Sequence, residues 1–89
     1  MILLVTYDLH KPDRDYADVT ETIKQSGTYC HIEESVWLIE TDDSPAVWRD
    51  RLKNTAYEAT YFVVQLRHNW AGSQLDGSVS SWLKNSRDW

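Results

Sequence analysis

Three segments of this chain are apolar on both sides of the alternation that a strand imposes, and this restricts what the chain can fold into. Ile2 to Asp8 reads Ile-Leu-Leu-Val-Thr-Tyr-Asp, with Leu3, Val5 and Tyr7 on one face and Ile2 and Leu4 on the other. Ser35 to Thr41 sets Val36 and Leu38 opposite Trp37 and Ile39. The segment from about Ala59 to Arg67 sets Phe62, Val64 and Leu66 opposite Tyr61 and Val63. A strand with one wet face alternates apolar with polar residues; these strands do not, so their sheet needs cover above and below.

Helical spacing fills the intervals. Tyr16, Val19, Thr20 and Ile23 recur at i, i+3, i+4 and i+7, one buried helical face. Asp13, Asp15 and Asp18 stand in its first turns, where the helix dipole favours negative charge, and Gly27 suits a left-handed cap at its end. Thr28 to Ile32 reads as a short strand and Glu33-Glu34 as a turn. Asp42-Asp43-Ser44-Pro45 is a helix start, with Asp43 or Ser44 as cap and Pro45 in the first turn; Trp48, Leu52 and Ala56 then share a face. His68 to Gln74 reads as a loop carrying Trp70 and Gly72. A last helix over roughly Asp76 to Asn85 places Val79, Trp82 and Leu83 together.

The order β-α-β-β-α-β-α predicts a single ferredoxin-like domain over residues 1–89. It is an α+β βαββαβ sandwich with an antiparallel four-stranded sheet in the order 4-1-3-2, plus a short C-terminal helix. Both long helices cover one face. The C-terminal helix is too short for the other, so a second copy of the chain is the simplest cover, and a homodimer is expected with Leu3, Val5, Trp37 and Tyr61 at its interface. The alternative is that the C-terminal helix and the Trp70 loop cover enough of that face.

Composition narrows the functional classes. A hydrophobic fraction of 42% is ample for folding without staples, and the single Cys30 excludes an internal disulfide or a multi-cysteine zinc site. Met1 leads directly into an apolar run with no basic leader, and that run falls far short of the roughly 20 residues of a membrane span. A cytoplasmic location and no membrane partner are expected. The net charge of −5, with nine scattered Lys and Arg, opposes non-specific attraction to phosphate.

Candidate chemistry centres on Asp8. The first and third strands are expected to run parallel, so that their C-terminal ends gather Asp8, Glu40, Asp42 and Asp43, joined by Glu58 at the start of the fourth strand. Clustered carboxylates suit Mg²⁺ or Mn²⁺. Asp8 closes an apolar strand beside His10-Lys11-Pro12-Asp13-Arg14. In the functional reading Asp8 is the metal-binding and catalytic carboxylate, His10 moves protons, and Lys11 and Arg14 contact nucleic-acid phosphate. In the bland reading Asp8 accepts N–H bonds from its own turn, Asp42 and Asp43 are a solvated helix cap, and the loop is surface punctuation around Pro12. His31 and His68 have no partner at ligand spacing. No Gly-rich phosphate loop or nucleophile elbow occurs.

Val5-Thr6-Tyr7-Asp8-Leu9, Lys11-Pro12, Asp15-Tyr16, Ile23-Lys24, Gly27-Thr28, His31, Glu34-Ser35, Trp37-Leu38-Ile39, Thr41-Asp42 and Ser81-Trp82-Leu83-Lys84-Asn85 together resemble the SinR-like family of small bacterial and phage proteins. The Tyr-Asp strand end and the element order more distantly resemble the Cas-two superfamily. That superfamily includes the small CRISPR adaptation subunit and VapD-type ribonuclease toxins. The resemblance implies a ferredoxin-like homodimer, with Asp8 as a metal-binding residue facing its symmetry mate. Some members of that superfamily cut nucleic acid with Mg²⁺ and others are non-catalytic scaffolds. Two functions are therefore expected to compete. One is a dimeric interaction or regulatory module for an unknown protein partner. The other is a Mg²⁺- or Mn²⁺-dependent nuclease acting on RNA or DNA.

Overall fold

In the computed structural model, which describes residues 1–10, 17–56, 58–85 and 87–89, the doubly apolar segments form β1 (Ile2–Asp8), β3 (Val36–Glu40) and β4 (Thr60–Leu66). A shorter strand, β2 (Tyr29–Glu33), completes a four-stranded antiparallel open sheet in the order β2-β3-β1-β4. Three helices accompany it among the described residues: α1 (Ala17–Lys24), α2 (Pro45–Thr55) and α3 (Gly77–Lys84). Among the described residues no helix is long and apolar enough to cross a membrane.

The local signals explain these boundaries. Gly27 ends the α1 connection at φ +83°, a conformation that penalises any side chain. Ser44 caps α2, its hydroxyl accepting from the Val47 N–H at 3.3 Å, and Pro45 follows at the position whose N–H has no helical partner. Asp76 caps α3 by accepting from the backbone N–H and the hydroxyl of Ser78, each at 2.9 Å. The expected turn at Glu33-Glu34 lies one residue later, at Glu34-Ser35, because a register irregularity between His31 and Glu33 adds one residue to β2. Tyr16, expected on the buried face of α1, and Asp13 and Asp15 lie outside the described residues.

The two sheet faces are covered unequally. On the first, Leu3, Val5, Trp37 and Ile39 pack against Val19 and Ile23 of α1 and Trp48, Leu52 and Ala56 at α2. The polar ends of its aromatics are matched: the Trp37 indole donates to the Tyr7 hydroxyl at 3.2 Å, Trp48 to the Thr41 hydroxyl at 3.1 Å, and the Tyr61 hydroxyl to the Ala56 carbonyl at 2.9 Å. On the second face, Cys30 and Leu38 lie beneath Val79 and Leu83 of α3, with Leu4, Leu66, Trp70, Leu75 and Trp89 around them. That cover reaches Leu66 at the end of β4 but leaves the rest of this face of the strand open, where Phe62 is 62% exposed and Val64 36%.

This layering corrects the expected interface. Leu3 and Val5 have no exposed surface and Trp37 retains 2%, all beneath the chain's own helices. Half-buried Tyr61 packs against the same cluster. Leu3, Val5 and Trp37, closed off within one chain, have no apolar area left to offer a second copy, and Tyr61 keeps only part of its surface. The free apolar surface belongs to the opposite face of β4.

Two outcomes follow. Leu3→Ala should lower the unfolding free energy by about 3 kcal/mol in urea titrations, through lost transfer energy plus a cavity, whereas Phe62→Ala should move it by no more than about 0.5 kcal/mol. The Ser78 hydrogen bonds hold the Asp76 carboxyl below its usual range. Because the folded value is depressed, its contribution is present above the unfolded carboxylate value and disappears as pH falls through the folded one. Amide-exchange protection of α3 should therefore decline below about pH 4, and Asp76→Asn should flatten that dependence.

Candidate functional site

Sheet topology decides which candidate residues meet. Because α1 carries the chain back across the sheet, β1 and β2 point the same way. The β2–β3 hairpin then sends β3 back beside β1 in the opposite direction, pairing Ile2 with Glu40 and Thr6 with Val36. The expectation that β1 and β3 run parallel is therefore wrong: the parallel relation belongs to β1 and β2, which are not neighbours. Asp8 and Glu40 lie at opposite ends of the sheet, six residues or about 20 Å apart along β1 at about 3.3 Å per residue. The expected carboxylate cluster is not assembled, and among the described residues no group of three or more His, Cys, Asp or Glu converges on a possible metal position.

The distant acids have other roles. Glu40 accepts from the Arg87 guanidinium at 3.3 Å and from the Asp88 N–H at 2.7 Å. Asp43 pairs with Arg51 at 2.7 Å, and Arg51 lies 4.8 Å above the Trp48 ring. Asp42 is exposed at the helix start.

The Asp8 end of the sheet holds a smaller constellation. Asp8 is paired in register with Thr60, and Thr6 with Phe62, so all four side chains share the face that α3 leaves open. Thr6, Tyr7, Asp8, Thr60 and Phe62 line a shallow hollow of about 140 Å³. The His10 Nε2 lies 2.8 Å from the Thr60 hydroxyl, tying the residues after β1 to the start of β4. Asp8 is exposed, and among the described residues its carboxylate accepts no hydrogen bond and joins no ion pair, so a turn-capping role is not seen there. Lys11 and Arg14 lie outside the described residues.

The chemistry available to one chain here is limited. The open face offers one carboxylate, two threonine hydroxyls and the edge of an exposed phenyl ring, with an imidazole engaged by Thr60. Mg²⁺ takes near-octahedral oxygen coordination through one or two carboxylates, with water and substrate phosphate supplying the rest. Among the described residues that line the hollow, Asp8 is the one carboxylate, a thin donor set for a resident cation.

The remaining candidates are structural. His31 stacks on Trp37 with ring centroids 3.8 Å apart and planes at 7°, and its Nε2 lies 3.2 Å from the Glu34 carbonyl oxygen. His68 lies 5.1 Å from the Trp89 ring. Cys30 is buried, and loss of solvation pushes its thiol pKa upward. Thr60 and Phe62 were missed as site residues because strand composition made Phe62 look like sheet core. The available signal was Thr6 and Asp8 on the same face of β1, which mark that end of the face as wet once the register is known.

An exposed carboxylate with no partner among the described residues contributes little to folding, so Asp8→Asn should leave the urea midpoint nearly unchanged, within about 0.5 kcal/mol of wild type. A larger loss of stability would reveal a structural bond to Asp8 and remove it as a candidate functional group.

Comparison with family models, with curated proteins and with solved structures finds no match for this chain.

Proposed function

We propose that this chain is a ferredoxin-like, non-catalytic interaction module that works as a homodimer, with the exposed face of β4 as its docking surface. The observation that carries the reading is Phe62, 62% exposed beside Val64 on a sheet face whose other half is sealed. β4 is also an edge strand, with one side of its backbone unpaired in the sheet order β2-β3-β1-β4. Exposed apolar side chains on such an edge favour association unless they are covered. The element order and the two-helix layer support kinship with the SinR-like and Cas-two proteins as part of the same proposal.

Electrostatics favours a protein partner over a polyanion. The net charge is −5, and Arg49, Arg51 and Arg87 each pair with a carboxylate, of Asp50, Asp43 and Glu40 respectively. Cations engaged in this way are poorly placed to neutralise successive phosphates.

Asp8, exposed and without a partner among the described residues, supports a second reading, a Mg²⁺- or Mn²⁺-dependent nuclease. Asp8 shares the face of Phe62, so packing of two copies around that ring would bring two Asp8 side chains toward one seam. Two carboxylates could hold a divalent cation, which would supply electrostatic stabilisation to a phosphodiester.

Sedimentation velocity separates these proposals from a monomeric protein. Wild type is expected to sediment as a dimer, and Phe62→Glu as a folded monomer with unchanged circular dichroism. A monomeric wild type at tens of micromolar would overturn the module reading. Incubation with single-stranded RNA and DNA in Mg²⁺ or Mn²⁺ tests the second: cleavage lost in Asp8→Asn establishes the nuclease, and equal activity in both proteins assigns it to contamination.

A further inference from the structure

We infer that Asp76–Trp89 is a detachable strap over the second sheet face, able to open while the first face and its helices stay folded. The two apolar clusters are the first ground. Leu3, Val5, Trp37 and Ile39 with α1 and α2 form one, and Cys30, Leu38, Val79 and Leu83 form the other, on opposite sides of the sheet. Removing α3 takes no side chain from the first cluster. Units that share few buried contacts open separately, at a free energy below that of global unfolding.

The second ground is how the strap is fastened. Its apolar grip is short, with Val79 and Leu83 the only residues of α3 that are fully enclosed. Trp82 and Trp89 pack at the margin of that cluster, and the polar ties gather at one end of the sheet, where Ile2 pairs with both Glu40 and Leu66. Arg87 is the central fastening. Its guanidinium donates to Glu40 at 3.3 Å and to the Trp82 carbonyl at 2.9 Å, and stacks 4.0 Å from the Trp82 ring. The Asp88 N–H donates to Glu40 at 2.7 Å, and the Met1 ammonium lies 3.4 Å from the Asp88 carboxylate. Arg67 reaches the Trp89 carbonyl at 3.5 Å.

The third ground is the connection. Ala71, Gly72, Ser73 and Gln74 are all exposed between β4 and α3. Gln74 holds φ at +60°, a left-handed conformation that disfavours a residue with a side chain. The Leu75 side chain lies where a Cβ on Gly72 would stand, so a larger residue there would displace Leu75. A hinge under mild strain, leading into a segment latched by charge, is arranged to release.

Opening would uncover Cys30, Leu38 and Leu4 and join them to Val64 and Phe62, turning a patch on β4 into an apolar band across all four strands. This consequence deepens the docking reading and rests on it; the opening itself does not.

Cys30 is the only thiol in the chain and lies under the strap at 8% exposure, so its alkylation reports opening in the full-length protein. Labelling by iodoacetamide at increasing urea is expected to proceed through an opening with a shallower urea dependence than global unfolding followed by circular dichroism. Arg87→Ala should accelerate labelling about tenfold, the equivalent of 1.4 kcal/mol. Asp76→Ala, which removes only the α3 cap, should act in the same direction if Arg87→Ala does not fold. Ser44→Ala, which weakens the α2 cap beneath the opposite face, should leave labelling in water unchanged. Equal urea dependence for labelling and unfolding, or equal acceleration by Ser44→Ala, would show that the strap leaves only with the whole fold. A monomeric wild type with fast, strap-controlled labelling would retain the strap and discard the docking surface.

Discussion

A sheet that is apolar on both faces has to find two covering layers within 89 residues, and this constraint shapes the rest of the structure. The first layer is complete. α1 and α2 bury Leu3, Val5, Trp37 and Ile39, and each buried indole or phenol on that side finds a partner within the chain. The second layer is assembled from what is left: an eight-residue helix, a loop with Trp70 and Leu75, and a tail ending at Trp89. These cover β2, β3, part of β1 and the Leu66 end of β4, and leave Phe62 and Val64 open.

Strand direction has the largest effect on chemistry. With β3 antiparallel to β1, the acidic residues divide between two ends of the sheet. Glu40 becomes a clasp for the C-terminal tail, and Asp43 becomes the partner of an arginine. Asp8 remains exposed beside Thr60 and Phe62, the one carboxylate among the residues that line the hollow there. In the proposed nuclease reading a second copy brings a second Asp8, which ties that proposal to the dimer. The same geometry makes the module reading the simpler one, since it asks only for cover over an apolar strand.

The elements were largely legible because their signals are local. The doubly apolar runs identified three strands, Ser44-Pro45 marked the start of α2 through its cap, and Val79, Trp82 and Leu83 marked α3 through their spacing. Local signals fade where one residue changes register: the irregularity in β2 moved the hairpin turn to Glu34-Ser35, and no residue type there announces it. The interface residues were misassigned for a related reason. Alternation shows that Leu3, Val5 and Trp37 share a face, but either face was apolar enough to receive the helices, and the chain's own α1 and α2 occupy theirs.

What the sequence determined by itself was the set of elements, their caps, the demand for two covering layers and the presence of Asp8 at a strand end. Those follow from backbone periodicity and hydrophobicity, which act over a few residues. Only the tertiary structure decided which face α1 and α2 seal, that Arg87 and Glu40 meet across 47 positions of chain, and that Phe62 stands beside Asp8 in the open. Pairing register and strand direction set those outcomes, and both depend on contacts between residues far apart in the chain.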